Sequence, residues 1–443
     1  MSNKAGTLSR LKTPIVPRHV LVAASAWISR IIMAIVQFAS IRVLISGLGI
    51  EQYAAFALLT ALMGWFMLAD MGIGFSLQNY ISGRRSKSEP YSDYITMAAT
   101  IAAILLILTI LALYLISPYI APIYLKQFHQ ITDAEKTRLL FTTGALFIGA
   151  ALGGISYKIW YAEQKGYFAN VFPTVASLLG YAGIIAVNSS SLSDKLLYSL
   201  AVFLAPSALI PLGALIVQVT NQLRGGTWAY TTETFYEISK RAINFWLLLL
   251  ITSLSLQIDY LVISQFLKPE DIVVYNLSTR ISWFILFLYI SALTALWPVF
   301  SEAIAKGNWP MVKELTKNYL AVGLGFTLFS SLLLVWLMPI VVKFLSPHET
   351  IVIPVMFILL LGIYQLIRVW TDTFTMILQS MSDLKPLWIA GPCQAILSIF
   401  LQWHLAQSIG LYGIILGNVL SFTLTSAWLL PRSVMKHYKK QTA

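Results

Sequence analysis

About twelve apolar stretches, each close to or longer than the ~20 residues that carry a helix across roughly 30 Å of hydrocarbon, leave this chain few ways to fold. They cover residues 20–46, 53–81, 93–117, 138–161, 169–188, 195–219, 243–267, 272–300, 318–341, 351–380, 387–408 and 412–430. The runs are continuously apolar rather than alternating, which excludes membrane strands. The first follows a basic segment but continues to about Ile45. That is too long for the roughly 7–15 residue core of a signal peptide, so it reads as an uncleaved first helix. Only 11% of the 443 residues are charged, against about 25% in soluble proteins. The longest polar segments (1–19, 117–138 and 220–241) fall short of the ~50 residues of a folded domain. The expectation is an all-α polytopic membrane protein.

The net charge of +12 would suit a nucleic-acid binder, but its distribution argues otherwise. With the segments on alternating sides of a membrane, 20 of the 30 Lys and Arg fall on the side of the amino terminus, counting Lys158 there. Six fall opposite, and four lie inside spans. That is the positive-inside pattern. Both termini are therefore expected to be cytoplasmic, and no nucleic-acid partner is implied.

The second half repeats the first. Leu48–Phe56 aligns with Leu267–Tyr275 at an offset of 219, and the same offset brings Pro173 onto Pro392. Each half has six spans, an even number, so both begin on the same side. Such repeats are parallel, related by an axis along the membrane normal. The expected architecture is two six-helix bundles, 1–219 (spans 1–6) and 243–430 (spans 7–12). A cytoplasmic linker at 220–242 joins them, and a tail covers 431–443.

Charges at membrane depth cost roughly 2.5–3.5 kcal/mol each on insertion scales and mark functional sites by default. Arg30, Asp70, Asp259, Arg280, Arg368 and Asp372 all lie well inside apolar stretches. At about 100° per residue, Arg30 shares a small, polar face with Ala23, Ala26, Ala34 and Gln37. Asn276, Arg280, Trp283, Phe287, Ser291 and Thr294 fall on one stripe of the eighth span. Amides with aromatic faces suit a sugar. Thr252, Ser255 and Asp259 align in the seventh. Counting residues from the hairpin turns makes Asp259 level with Arg280 and Asp70 level with Arg30. Each pair is then either a structural ion pair or a charge couple that binds an anionic head group and exchanges partners. Arg368 and Asp372, at i,i+4, read first as a local salt bridge. Arg42 reads as snorkelling to the outer interface and Lys158 to the inner one.

Other chemistry finds little footing. The lone Cys393 cannot build a disulfide or a thiolate metal site, and the five histidines have no ligand spacing. Gly410, Gly413 and Gly417 lack the Gly-Lys-Ser/Thr ending of a phosphate loop, so close helix packing explains them. No cofactor or metal is expected, and no enzymatic activity.

The segment Leu48–Ala57 (LGIEQYAAFA), then Trp65, then Leu68–Gly74 (LADMGIG), resembles the first helical hairpin of bacterial O-antigen and polysaccharide flippases. These form the polysaccharide transporter branch of the multidrug, oligosaccharidyl-lipid and polysaccharide exporter superfamily. The basic Gly83–Arg85 loop, the length, the span number and the Gly410–Gly417 segment agree. Ala54 stands where the family usually has Gly. The resemblance implies a MATE-like fold and translocation of an undecaprenyl-diphosphate-linked oligosaccharide from the inner to the outer leaflet of the bacterial cytoplasmic membrane. It implies a cationic cavity between the bundles, with Arg30 and Arg280 matching cavity arginines in position. On that reading Arg30, Arg280 and Arg368 attract the diphosphate or acidic sugars, and Gln37, Asn276 and Trp283 contact the glycan. Asp70, Asp259 and Asp372 serve coupling or gating. Expected partners are the lipid-linked substrate, membrane lipids, and a polysaccharide polymerase with its chain-length regulator. Two rivals are an ion-coupled drug exporter of the same fold and a polysaccharide polymerase or ligase. The intramembrane arginines count against the first, and the short outer loops against the second.

Overall fold

The computed structural model describes residues 18–223, 231–347, 351–381 and 383–442, and every regular element among them is helical. In chain order these are α1 (Arg18–Ala61), α2 (Met63–Phe66), a 3-10 turn (Met67–Asp70), α3 (Ile73–Ser86), α4 (Ser92–Tyr124), α5 (Asp133–Gly153), α6 (Ile155–Ala162), α7 (Gly166–Asn188) and α8 (Lys195–Leu223). The second half holds α9 (Thr232–Leu256), α10 (Ile258–Phe266), α11 (Pro269–Ala305), α12 (Trp309–Leu345), α13 (Val355–Ser380), α14 (Lys385–Ile409), α15 (Leu411–Leu424) and α16 (Ser426–Thr442).

Ten helical runs among the described residues are long and apolar enough to cross a membrane, or eleven if the bent pair α9–α10 counts as one. One run, Ala24–Asp70, has 47 residues. As a straight helix it would be about 70 Å long, more than twice the hydrocarbon thickness. Gly49 interrupts it with φ 73° and ψ 175°, between the stretches 20–46 and 53–81. Surroundings follow hydropathy. α4 has the highest mean hydropathy, 2.8, and only 6% of that window is buried, whereas the run through α5 and α6 is 67% buried. The first therefore presents itself to lipid and the second to protein.

Several elements differ from the sequence expectation, and the reasons are local. α4 continues to Tyr124 and α5 starts at Asp133, so the expected loop 117–138 shrinks to residues 125–132. Hydropathy marks where apolar side chains stop, but a helix boundary is set by how its end groups are satisfied. Here Thr132 and Glu135 form a reciprocal capping box on α5. The expected linker 220–242 is largely helical, with α8 running to Leu223 and α9 starting at Thr232; residues 224–230 lie outside the described residues. The second stretch, 53–81, is not one helix. It breaks at Leu62, tightens into the 3-10 turn, and passes through Met71 (φ 47°) and Gly72 (φ 75°) before α3 begins. The seventh bends by 40° at Gln257, between α9 and α10.

Pro173 and Pro392, matched by the sequence offset, each lie seven residues after the start of their helices, α7 and α14. The glycine segment does pack closely. Gly410 (φ 56°) turns the chain from α14 into α15. A Cβ on Gly413 would fall 2.3 Å from the Leu405 carbonyl, and one on Gly417 2.8 Å from the Gln402 backbone nitrogen.

The apolar cores are arranged unequally along the molecule. Around the turns near residues 47–52, 125–132, 189–194 and 267–268, one cluster joins both halves. Tyr53, Leu58 and Phe128 of the first half share it with Ile263, Tyr275 and Phe357 of the second. At the opposite, basic end the core divides. One cluster holds Leu77, Ile95 and Leu152 of the first half, and another holds Leu286, Phe300 and Ile377 of the second. The halves are thus fused at the turn end and separate at the basic end, except where α9 crosses over with Ile238 and Ala242.

Gly413→Ala is expected to lower the thermal midpoint of the detergent-solubilised protein, because the added methyl overlaps α14 backbone and overpacking costs about 1–3 kcal/mol. Gly325→Ala, where nothing lies within 4 Å of the added Cβ, should leave the midpoint unchanged.

Candidate functional site

The seam at the turn end is closed by polar contacts as well as by the shared core. The Tyr53 hydroxyl donates to Asn276 Oδ1 at 3.1 Å, and Asn276 Nδ2 donates to the Tyr260 hydroxyl at 2.9 Å. Gln127 Nε2 donates to the Gln265 carbonyl at 2.9 Å, and Gln265 Nε2 returns a bond to the Ile123 carbonyl at 3.2 Å. Asn276 was expected to contact glycan. It is buried, and both ends of its amide are engaged by tyrosines in this conformation.

Arg280, one turn further along α11, is half-buried near the Tyr53 and Tyr260 hydroxyls. Among the described residues no ion pair joins it to Asp259, and none joins Arg30 to Asp70. The level pairs anticipated from residue counting do not form. Asp259 instead accepts from the Tyr275 hydroxyl and from the Tyr260 backbone N–H. Asp70 accepts from the Gly72 N–H at 2.9 Å, at the start of α3, where a carboxylate complements the exposed N–H groups. The count of residues to Asp70 assumed a constant helical rise, and the break between Leu62 and Gly72 removes that premise.

Arg30 is exposed on α1, with its guanidinium carbon 5.4 Å from the Phe287 ring centroid of α11. Trp27 meets the same ring edge-on at 6.5 Å. Gln37, two turns away, is also exposed. The α1 face therefore borders the seam between the halves. Arg42 is exposed near the turn end, 4.8 Å from the Phe344 ring of α12.

Arg368 lies inside the second half, with its side chain 7% exposed. It forms the expected i,i+4 salt bridge to Asp372 at 3.1 Å and donates to the Tyr364 hydroxyl at 3.3 Å. The Trp283 and Phe422 rings lie 5.4 and 5.5 Å from its guanidinium carbon. Trp283, itself partly exposed, thus connects the α11 stripe to this buried cation. Nearby a cavity of about 40 Å³ is lined by Asp259, Tyr275, Thr279, Gln365, Gln402 and Asn418, among others. Gln402 Nε2 donates to Asn418 Oδ1 at 2.9 Å, while Gln402 Oε1 is buried without a partner. One carboxylate with amide and hydroxyl oxygens is a donor set for a proton, water or a small hard cation. Among the described residues no three His, Cys, Asp or Glu side chains come together as a metal cluster.

Lys158 is a cation whose role the sequence concealed. On α6 it turns inward, its ammonium 3.7 Å from the Phe75 ring centroid, and its chain and Asp70 flank Gly74 from two sides. It occupies the part of the first half where Arg30 was expected to meet Asp70. Its position near a span end was the only sequence signal, and that equally fits a lysine reaching the interface.

A family model described as "Polysaccharide biosynthesis protein" matches residues 20–304, more than half of the chain. The chain belongs to this family. The MatE model also matches, over residues 246–404. A candidate O-antigen export protein of Yersinia pseudotuberculosis is 36% identical over 94% of this chain and 96% of its own length. A candidate O-antigen transporter of Salmonella typhimurium is 37% identical, again over 94% and 96%. Among solved structures, the lipid II flippase MurJ in an inward closed conformation superposes with a TM-score of 0.75 at 16% identity. It covers 94% of this chain and 87% of its own. An inward-facing multidrug resistance MATE transporter of the MOP superfamily gives 0.69 at 15% identity, covering 93% and 96%. These likenesses identify a MOP-type fold.

Asp372→Ala is expected to destabilise this family member by about 3–5 kcal/mol, because it strands a buried guanidinium. The paired replacement Arg368→Met with Asp372→Leu should recover most of that loss in a thermal unfolding assay. If the recovered variant still fails to transport, the pair has a role beyond folding.

Proposed function

We propose that this protein moves an undecaprenyl-diphosphate-linked oligosaccharide from the inner to the outer leaflet of a bacterial cytoplasmic membrane by alternating access. The observation that carries this reading is the end-to-end similarity to proteins named for O-antigen export, with 94% of the chain aligned at 36–37% identity. The basic end is the cytoplasmic one and both termini lie there, as the distribution of Lys and Arg requires. We read twelve crossings in two bundles, 1–219 and 243–430, joined by 220–242 and followed by the tail 431–443.

The physics of the site supports the same assignment. A diphosphate needs cations that are not already neutralised. Arg30 and Arg280 have no carboxylate partner among the described residues, and they come from opposite halves. Arg368 is held by Asp372 and becomes available only when that bridge opens. Trp283 and Gln37 are exposed and on this reading receive the sugars, and Asn276 joins them once its tyrosine bonds break. Asp259, at the small cavity, is the group best suited to take a coupling proton or cation. Asp70 keeps the broken second span in register and tunes Lys158. Downstream, the delivered unit would pass to a polymerase and its chain-length regulator.

An ion-coupled drug or cation exporter of the same fold is the second reading, favoured by the MatE match over 246–404. An organic cation would be repelled by Arg30 and Arg280, so the two readings differ in the sign of charge the seam accepts.

Deleting the gene in its own bacterium should leave single, unpolymerised lipid-linked units on the cytoplasmic leaflet. Single units displayed on the outer face would instead sink the flippase reading. Arg280→Ala should abolish translocation while normal amounts of protein insert, read from surface polysaccharide and membrane immunoblots of the complemented strain. Undiminished surface polysaccharide would remove Arg280 from the site.

A further inference from the structure

We propose that α9 is a latch that closes the basic end of the carrier against the first half and swings about Gln257 to let substrate enter. By sequence α9 opens the second half and packs there on α14, where Ile251 meets Gly391, yet it also lies along α3 and α4 of the first. Ser76 Oγ donates to the Ile238 carbonyl at 3.0 Å, and the Tyr80 hydroxyl to the Glu237 carbonyl at 3.2 Å. The Tyr94 hydroxyl donates to the Glu237 carboxylate at 2.5 Å, and Arg84 donates to that same hydroxyl at 3.1 Å. Arg241 of α9 stacks over Tyr80 at 4.4 Å, and Tyr80 stacks on Tyr94 at 5.0 Å.

These contacts are built to be broken. Glu237 and Ile238 sit inside α9, where their carbonyls already serve the helix. The Ser76 and Tyr80 hydroxyls use the second lone pairs, so their release leaves no backbone group unsatisfied. Glu237, Arg84 and Tyr94 lie near the basic end, where water can replace the partner each loses. The Tyr94 contact raises the Arg84 guanidinium pKa above its already high ordinary value, so the charge is permanent and the latch does not depend on pH through it. The apolar part is small as well. Among the described residues α9 places Ile238 and Ala242 in the buried core of the first half and lays Phe245 on Phe75, whereas the turn end is held by one cluster spanning both halves.

The approach and the pivot are both encoded in broken backbone. Gly72 is left-handed, and a Cβ there would lie 2.4 Å from the Ala242 carbonyl and 2.9 Å from the Trp246 nitrogen. Only glycine lets α9 lie this close. Trp246 Nε1 donates to the carbonyl of Leu68, in the 3-10 turn. At Gln257 the helix is interrupted and bent by 40°, while α10 beyond it is anchored in the shared core through Val262 and Ile263. Motion is therefore confined to the α9 side of the break.

The labelling measurement reads opening directly, without reference to the transported molecule, so it can fail independently of the proposed function; the cross-linking measurement rests on that function. In a Cys393→Ser background, Phe75→Cys reports on the surface under the latch, where Phe75 stacks on Phe245 at 5.6 Å. A membrane-impermeant maleimide is applied to inside-out vesicles. Labelling should rise several-fold in Tyr94→Phe with Glu237→Gln, and also in Gly72→Ala if that variant folds. A reducible bis-methanethiosulfonate bridging Tyr80→Cys to Arg241→Cys, in the Cys393→Ser background, should stop delivery of surface polysaccharide, and reduction should restore it. Unchanged Phe75→Cys labelling in the double variant, or full delivery with the bridge intact, would overturn the latch.

Discussion

A carrier built from two bundles must hold them together at one end and free them at the other. The holding here is done by one apolar core around Tyr53, Phe128, Tyr275 and Phe357. Large aromatic side chains bury the most area per residue, and inside a membrane their close packing replaces the hydrophobic drive available in water. The Asn276 amide lies in the middle of this core, bonded to a tyrosine from each half. An unsatisfied amide at that depth would cost more than an apolar residue, so the bonds specify which closed arrangement forms. Much of the structure follows from that closure. With the turn end sealed, the basic end is where the halves have separate cores and where a path can open.

The breaks in the helices supply the complementary freedom. In lipid every backbone group must find a partner within the protein, so irregular backbone survives only where it is buried in protein or lines a polar path. Two interruptions show how that condition is met. Gly72 faces α9, and its N–H is taken by Asp70. The Gln257 carbonyl accepts from Trp65 Nε1 at 3.4 Å. A broken second span thus meets a broken seventh, one from each half, along the seam that must change shape.

The intramembrane charges divide by the same logic. Arg368 and Asp372 neutralise each other within one turn of α13, Asp259 is held by Tyr275, and Asp70 by the start of α3. Among the described residues Arg30 and Arg280 have no carboxylate partner, and they lie near aromatic rings and phenols. Such cations are costly unless water or an anion reaches them. Under the proposed function, an anionic head group between the halves would meet that need.

Hydropathy, glycine spacing and charge asymmetry are properties of short segments, and the sequence by itself determined what depends on them. Those features are the all-helical membrane fold, the basic end, the Arg368–Asp372 bridge and the tight contact of Gly413 and Gly417 with α14. The partners of the other charges were a tertiary matter. Depth and face follow from sequence only under a constant 1.5 Å rise and 100° turn, and Asp70 lies beyond the break at Leu62, in a 3-10 turn where neither holds. Lys158 resembled an interfacial lysine because its inward turn depends on Phe75, a neighbour from another helix. The crossing of α9 onto the first half was equally hidden. Its amphipathic start reads as linker in sequence, and only Gly72, brought opposite Ala242 by the fold, makes room for it.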